Sequence, residues 1–248
     1  MRVVRIVILL FAAFLYFIDA GAQLCQGSLG VPIINKTFGA GTNPGNPLAA
    51  ASTTYQYVST DCPNDGYYTV RNNTSACFAD SWHSIAADHT GDGSGYFMLV
   101  NASMQPGAFY VDTVRGLCSG TTFEFATWIM NVLKTTACNP SPIMPNLTFS
   151  IERTDGTLIQ NYSTGDIPSQ ANPTWQQFGF FFNTPVGISD IVLRIVNNAP
   201  GGCGNDLALD DITFRPCGPQ LTPAITGFPI NTDTLCEGSA ASYTFTCA

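Results

Sequence analysis

Adjacent carboxylates interrupt a strand-like run near the end of the chain, between residues 206 and 214. Asp210 and Asp211 stand there among apolar residues, and a carboxylate in a buried strand requires a cation or strong hydrogen-bond donors. In a regular strand, Asp210 lies on the same face as Ile212 and Phe214, which belong in a core, whereas Asp211 points to the opposite face. The pattern predicts that Asp210 is the buried ligand and that Asp211 need not share its role.

Calcium is the cation that suits such a strand, because it binds several oxygen ligands from carboxylates, carbonyls and water in a tolerant geometry. Asp88 and Asp92 flank a Gly-rich turn and are the next candidate ligands. Two interpretations stay open at each place. The strand holds either an ion or carboxylates that accept backbone and hydroxyl hydrogen bonds, and the Asp88–Asp92 segment is either part of a metal loop or a tight structural turn.

Groups for catalysis are scarce in the sequence. His83 and His89 are the only histidines, and no nucleophile elbow, metalloprotease helix motif or phosphate-binding loop occurs. Glycoside hydrolysis needs two facing carboxylates, one of them held as an acid. Glu124 and Glu152 lie on predicted strands, and an outward-facing polar position on a strand accounts for each of them without a catalytic role. We therefore expect a protein that is not an enzyme.

Aromatic side chains offer a way to bind sugars, because the apolar face of a sugar ring packs on an aromatic ring. Trp82, Tyr67 and Tyr68 lie near predicted loops and are the candidate ligand-binding residues, with core packing as an equal alternative. Trp128 and Trp175 lie inside predicted central strands, where core packing is the favoured role.

These side chains have to be positioned by β-strands, because short apolar or alternating runs separated by turn clusters fill the chain and convincing helices are lacking. Ten such runs predict an all-β fold, a two-sheet antiparallel sandwich. Asp155-Gly156 predicts a hairpin turn between two of the runs. The predicted strands are Val31–Phe38, Tyr67–Val70, Tyr96–Asn101, Ala108–Val111, Thr122–Val132, Leu147–Arg153, Leu158–Ser163, Trp175–Asn183, Asp190–Asn197 and Asp206–Phe214.

Export is predicted from the first 22 residues. Arg2 and Arg5 precede an apolar stretch from Ile6 to Ile18, and Ala20-Gly21-Ala22 fits a signal-peptide cleavage site. The apolar stretch is too short for a stable membrane span. The net charge of −8 argues against a nucleic-acid partner, because phosphate binding needs a basic face. We expect a secreted or cell-surface protein.

Nine cysteines in an exported chain predict disulfides rather than metal thiolates. Cys62 and Cys77 bracket a short loop and form the preferred bridge. Cys138 and Cys203 lie in loops that could meet at one end of the sandwich. The pairing of the others stays open, and the odd number implies a free thiol or a partner elsewhere.

A domain boundary is predicted near Pro216-Cys217-Gly218-Pro219, where turn residues cluster. Residues 23–220 then form the sandwich. Residues 221–248 contain the start of an immunoglobulin-like or PKD-like domain, and they are too few to bury a sandwich core of their own.

Several motifs together resemble the MAM family of extracellular adhesion domains. They are, in order, Trp82, the segment Asp88 to Ser103, Trp175-Gln176-Gln177-Phe178 and Leu207 to Ile212. The resemblance covers residues 31–217. The layout of a signal peptide, this module and an immunoglobulin-like or PKD-like start is also similar to large surface proteins of gliding bacteria, often exported by the type IX route. The resemblance implies a jelly-roll sandwich with an ion between its first and last strands, which adds Thr37 to the candidate calcium ligands.

The sequence therefore predicts an exported, non-catalytic adhesion or glycan-binding module that contains a structural calcium ion. Its expected partner is a surface glycan or another surface protein. A structural spacer that presents downstream repeats and an accessory domain of a larger secreted hydrolase are the alternatives.

Overall fold

Alternating apolar side chains fold the chain into two stacked sheets, which a computed structural model describes over residues 24–218. The predicted signal peptide and the predicted start of a second domain lie outside these residues. The strands are β1 (Ile34–Lys36), β2 (Gln56–Tyr57), β3 (Tyr67–Arg71), β4 (Phe97–Asn101), β5 (Ala108–Val114), β6 (Thr122–Asn131), β7 (Asn146–Glu152), β8 (Leu158–Asp166), β9 (Gln176–Asn183), β10 (Ile191–Asn197) and β11 (Asp206–Pro216). A short 3-10 helix covers Ala50–Ser52.

One sheet has seven strands in the order β2-β3-β4-β11-β6-β9, with β1 also paired to β11, and the other has four in the order β5-β10-β7-β8. From β5 onward the chain passes from one sheet to the other at every connection except the β7–β8 hairpin, as in a jelly-roll sandwich. The predicted all-β, two-sheet fold is confirmed, and each of the ten predicted strands has a counterpart. The sequence missed β2, a two-residue strand whose pairing with β3 is parallel.

The predicted hairpin joins β7 and β8, which pair in antiparallel register. At its turn, Gly156 has a φ of 87°, a left-handed conformation that glycine adopts without a Cβ clash. The Thr157 backbone N–H donates a hydrogen bond of 2.8 Å to Asp155 Oδ1. The turn residues and the alternating side chains of the two flanking strands therefore both favour a hairpin, and the prediction is confirmed.

The main core fills the space between the sheets. In β10, Ile191, Leu193 and Ile195 are fully buried in it, while Val192 and Arg194 point outward and are half-buried. A second apolar cluster covers the other side of the seven-stranded sheet. This cluster includes Trp82, Ile85, Phe97, Leu99, Met130, Leu133 and Ala208.

A β-bulge in β11 overturns the simple alternation expected around Asp210. Leu207, Leu209, Ile212 and Phe214 all belong to the core between the sheets, although strict alternation would divide them between two faces. The register against β6 shifts by one residue just after Asp210. A bulge inserts one extra residue and thereby exchanges the faces beyond it. Asp210 consequently faces away from the main core, and the prediction that it leans toward Ile212 and Phe214 is wrong.

Disulfides Cys62–Cys77 and Cys138–Cys203 confirm the two predicted pairings. A third disulfide, Cys25–Cys217, joins the two ends of the described chain and was not predicted. Cys118 is a free, exposed thiol. Three disulfides are typical of proteins that fold in an oxidising, extracellular compartment. Among residues 24–218, no helix has the length and apolar character needed to cross a membrane.

Candidate functional site

The two carboxylates lie in a gap along one edge of β11. Strand β4 pairs with β11 from Asp206 to Leu209, and β1 pairs with it from Ile212 to Phe214. Asp210 and Asp211 fall between these two neighbours, at the bulge. The first and last strands therefore meet beside the carboxylates, as the resemblance implied.

His89 completes this cluster, which we call the acidic bulge site and define as His89, Asp210 and Asp211. The His89 backbone N–H donates to Asp210 Oδ2 at 3.0 Å, and Nδ1 of the ring lies 3.2 Å from the same oxygen. Nδ1 also lies 3.4 Å from Asp211 Oδ2. The prediction that Asp211 points away from Asp210 is wrong, because the bulge turns both carboxylates toward one imidazole.

The surroundings hold this arrangement in place. The His89 ring stacks on Trp128, with ring centroids 4.7 Å apart and planes 19° from parallel. Asp210 Oδ1 accepts the Asp211 backbone N–H at 2.8 Å, and the Thr127 hydroxyl donates to the Asp210 carbonyl at 2.7 Å. Asp211 itself has a φ of 42°. Asp tolerates this left-handed conformation better than most side chains do, which suits it to the bulge.

Burial and charge act together on Asp211. Burial is the main cause that raises the pKa of Asp211 above its ordinary value, and the neighbouring charges of Asp210 and Asp88 raise it further. His89 and Arg215 oppose that increase. The Asp210 side chain is 2% exposed, His89 14% and Asp211 25%, so the cluster opens to solvent on the Asp211 side.

The remaining predicted metal ligands are engaged in turns. Asp88 Oδ1 accepts hydrogen bonds from the backbone N–H groups of Thr90 and Asp92, both at 2.9 Å. Asp92 Oδ1 accepts the Ser94 backbone N–H at 2.8 Å, and Thr37 Oγ1 accepts the Gly39 N–H at 3.3 Å. These contacts match the structural-turn interpretation of the Asp88–Asp92 segment.

The side chains of the acidic bulge site differ from the all-oxygen set that was predicted for calcium. Of the five predicted ligands, Asp210 and Asp211 meet there, and the third side chain within ligand distance is a histidine. Calcium prefers six to eight oxygen ligands, whereas an imidazole nitrogen suits transition metals.

A second polar feature lies on part of the outer face of the four-stranded sheet, which also carries Val192 and Val196 of β10. Side chains at alternating positions of β7, β8 and β10 point away from the core there, because Leu147, Phe149 and Ile151 fill the inward positions of β7. We call this surface the polar strip. Its members are Asn146, Thr148, Ser150, Glu152, Asn161, Arg194 and Asn198.

The polar strip is organised by its own hydrogen bonds. Arg194 donates to Glu152 through Nε at 3.1 Å and through Nη2 at 3.2 Å, and Ser150 Oγ donates to Glu152 at 2.7 Å. Asn198 Nδ2 donates to Asn146 Oδ1 and to the Thr148 hydroxyl, both at 2.9 Å. Burial alone would raise the pKa of Glu152, but the bonds from Arg194 and Ser150 and the arginine charge hold that pKa below its ordinary value.

Comparison with known proteins gives no family: no family model and no curated protein matches the chain. Among solved structures, the CBM22-1 xylan-binding domain from Paenibacillus barcinonensis Xyn10C is 13% identical, covers 77% of this chain and 96% of that chain, and has a TM-score of 0.40. A cyclase from Fischerella sp. TAU is 10% identical over 62% of this chain and 76% of its own, with a TM-score of 0.43. The enzymatically active domain of bacteriophage CBA120 tailspike protein 4 is 13% identical over 66% of this chain but 19% of its own, with a TM-score of 0.39. At these values the likeness carries no argument about function.

The predicted sugar-binding aromatics do not form an exposed platform. Trp82 and Tyr68 are each 2% exposed. Trp82 donates its indole N–H to Asp206 Oδ2 at 3.1 Å, and the Tyr68 hydroxyl accepts the Leu48 backbone N–H at 2.8 Å. Tyr68 belongs to the main core and Trp82 to the second cluster, so the ligand-binding prediction is wrong for both. Tyr67 is half-buried.

The structure also corrects the interpretation of the strand residues Trp128 and Glu124. Trp128 lies on the outer side of the seven-stranded sheet and is half-buried rather than in the core. Glu124 lies on the same outer side of β6 as Trp128, but it is fully buried there rather than exposed. Its Oε1 accepts hydrogen bonds from Arg215, and its Oε2 accepts the Cys25 backbone N–H at 2.6 Å.

Sequence reasoning missed His89 as the partner of the acidic strand, since the two lie more than a hundred residues apart. It also missed the polar strip, although a signal was present. Residues 146–152 alternate polar and apolar side chains without interruption, and such a strand has one face in the core and one that remains polar.

Proposed function

We propose that this protein is an exported, non-catalytic module that contacts a neutral glycan at a cell surface through the polar strip. The observation that supports the proposal is the strip itself: amide, hydroxyl and guanidinium groups aligned on one sheet face and fixed by mutual hydrogen bonds. A sugar presents hydroxyl groups that both donate and accept, so a surface with both kinds of group in fixed positions suits it. Fixed side chains also lose little conformational entropy on binding.

The charge of the surface favours a neutral ligand. The whole chain carries a net charge of −8, which repels anionic polymers. Within the strip, the positive charge of Arg194 is already compensated by Glu152. A neutral polyhydroxyl chain is not repelled by the negative net charge of the protein, and it needs no unpaired charge on the strip. It is therefore the ligand class that suits this surface.

The placement of the glutamates supports a binding role over a catalytic one. A glycosidase needs one carboxyl group held in the acid form. Glu152 has a lowered pKa because arginine and serine bind it, and Glu124 is paired with Arg215. The lowered pKa does not suit Glu152 to the role of general acid, and Glu124 and Asp206 are buried away from solvent. The proposed module therefore binds and releases its ligand unchanged.

Adhesion at the cell surface is the biological setting that we propose. Three disulfides, the predicted signal peptide and the resemblance to MAM adhesion domains support it. In that setting the glycan belongs to the surface of a neighbouring cell or matrix, and the module supplies one contact among several.

A glycan array probed with the secreted chain tests the proposal. We expect binding to neutral oligosaccharides, and we expect Arg194→Gln to weaken it by about tenfold because one charge-assisted hydrogen bond is lost. Arg115→Gln is the matched control, since Arg115 forms an exposed ion pair with Asp190 on another part of the sandwich. Asn161→Ala is a second variant of the strip. It leaves the Arg194–Glu152 pair intact, so a loss of binding in this variant does not come from a folding defect caused by breaking that pair. Equal binding by all these variants, or silence on every neutral glycan, would contradict the proposal.

A further inference from the structure

The acidic bulge site has the composition of a transition-metal site rather than a calcium site. It offers one imidazole nitrogen and two carboxylates, and their ligand atoms all lie within 4.8 Å of one another. Nitrogen and carboxylate together are the ligands that zinc accepts in a four-coordinate site, whereas a calcium site is built from oxygen alone. We propose that His89, Asp210 and Asp211 bind a zinc-class divalent cation.

The distances suit this ion. Zinc lies about 2.0–2.1 Å from nitrogen and oxygen ligands, and a tetrahedral arrangement then places neighbouring ligand atoms about 3.3 Å apart. Nδ1 of His89 lies 3.2 Å from Asp210 Oδ2 and 3.4 Å from Asp211 Oδ2. Two of the three separations between ligand atoms therefore match a tetrahedral site, all three atoms lie within 4.8 Å of one another, and water on the solvent-exposed side completes the set.

The charges at the site and the contacts that surround its ligands also support a bound divalent cation. Two neighbouring carboxylates repel each other in a partly buried place, and a divalent cation removes that repulsion. The Trp128 ring fixes the plane of the imidazole, and the Asp211 N–H fixes the Asp210 carboxylate through its other oxygen. Metal ligands that are oriented in this way bind their ion more tightly than free side chains do.

A metal ion bound at this site would connect two separate parts of the fold. It lies at the bulge where the pairing of β11 passes from β4 to β1. His89 belongs to the loop that precedes β4, and both aspartates belong to β11. An ion there cross-links a long loop to the central strand, and any ligand that binds the folded state alone stabilises it.

Tag-free secreted protein, stripped with EDTA and exchanged into metal-free buffer, provides the test. We expect isothermal titration with zinc chloride to show one site, and His89→Gln to weaken zinc binding at least tenfold. His83→Gln is the matched control, because His83 is the other histidine and its Nε2 contacts the Gln170 carbonyl away from the cluster. Asp211→Asn, which keeps a residue type that tolerates the left-handed backbone, is the second variant and should also weaken binding.

Cobalt chloride gives an independent readout. Cobalt in a four-coordinate site absorbs visible light strongly, and its proximity should quench Trp128 fluorescence, since the ring lies 4.7 Å from His89. Trp128→Phe should remove most of that quenching. Binding of calcium in preference to zinc, zinc binding unaffected by His89→Gln, or no binding of either ion would each overturn the proposal. In the last case, His89 is a hydrogen-bond partner of the carboxylates and nothing more.

Discussion

Asp206 shows how burial alone changes the chemistry of a carboxylate. Its side chain accepts the Trp82 indole N–H through Oδ2, while Oδ1 is buried without a hydrogen-bond partner. Burial raises the pKa of Asp206 from its ordinary value of 3.8 to about 8, although the bonds from Trp82 and the Ala102 backbone oppose that increase. At neutral pH the folded protein therefore holds this group largely as the uncharged acid.

This proton makes the stability of the domain pH-dependent. Between about pH 4 and 8, Asp206 is ionised in the unfolded chain but protonated in the folded one. The folded state then binds one more proton, so the free energy of unfolding falls as pH rises through that window, by about 1.4 kcal/mol per unit. Below pH 4 both states are protonated and the contribution is fully present.

Asp206→Asn tests this prediction, because asparagine is neutral in both states. Relative to wild type, the variant should gain stability steadily from pH 5 to pH 8, measured as urea unfolding midpoints. Asp190→Asn serves as the control. The backbone N–H of Gly116 is the main cause that holds the pKa of Asp190 below its ordinary value, so its charge is constant over this range. A difference between Asp206→Asn and wild type that does not change with pH would contradict the account.

At the scale of elements, the positions of the strands were predicted from the sequence more successfully than the faces of the sheet to which their side chains point. Short alternating runs bounded by turn residues carry strand information locally, which explains why β7, β10 and the hairpin turn were predicted correctly. The bulge in β11 was not predictable in this way. It is a one-residue register shift against β6, a strand distant in the sequence, and that shift decides which way Asp210 and Asp211 point.

The aromatic residues illustrate the same difficulty. Whether a tryptophan packs in a core or faces solvent depends on which loop folds over it, and loops leave no periodic signal. Trp82 is buried in the second cluster, which contains Cys77 and has Cys62 packed against it, whereas Trp128 lies on a central strand yet remains half-buried beside His89. Local sequence therefore identified the polar and aromatic residues but not their neighbours.

The turn before β4 supplies a sharp test at this scale. A Cβ added at Gly95 would lie 2.0 Å from Asp88 Oδ2, whereas one added at Gly93 meets its nearest atom at 3.9 Å. Gly95→Ala should therefore destabilise the domain by about 1–3 kcal/mol, and Gly93→Ala should leave it close to wild type. Thermal unfolding of the two variants measures the difference. Equal unfolding midpoints would contradict this prediction, because they would mean that the Asp88 turn moves aside for the added Cβ at little cost in free energy.

For the whole molecule, the ends of the described chain are joined side by side. Cys25 and Cys217 form a disulfide, and the Gly30 backbone N–H donates to the Pro216 carbonyl at 2.9 Å. The disulfide spans 192 residues, compared with 15 for Cys62–Cys77. Closing the longer loop restricts the unfolded chain more strongly, because the entropy lost grows with loop length.

Paired serine substitutions test this contribution. Cys25→Ser with Cys217→Ser should lower the free energy of unfolding by about 5 kcal/mol, and Cys62→Ser with Cys77→Ser by about 3 kcal/mol, in the chain-entropy model. Denaturant unfolding of the two double variants gives the order directly. A smaller loss for the 192-residue bridge would show that the native contacts at the ends, rather than the cross-link, hold the sandwich closed.

Glycan contact through the polar strip is the central claim, and the side-chain NMR signals of the strip test it most directly. Titration of the isotopically labelled secreted chain with an array-selected oligosaccharide should shift the side-chain amide signals of Asn146, Asn161 and Asn198 and the Nε–H signal of Arg194. Those groups lie on one face of the four-stranded sheet. Asn183, whose side chain binds Gly120 and Thr122 on the other sheet, should not shift. Shifts confined to the seven-stranded sheet, with the strip unchanged, would contradict the account.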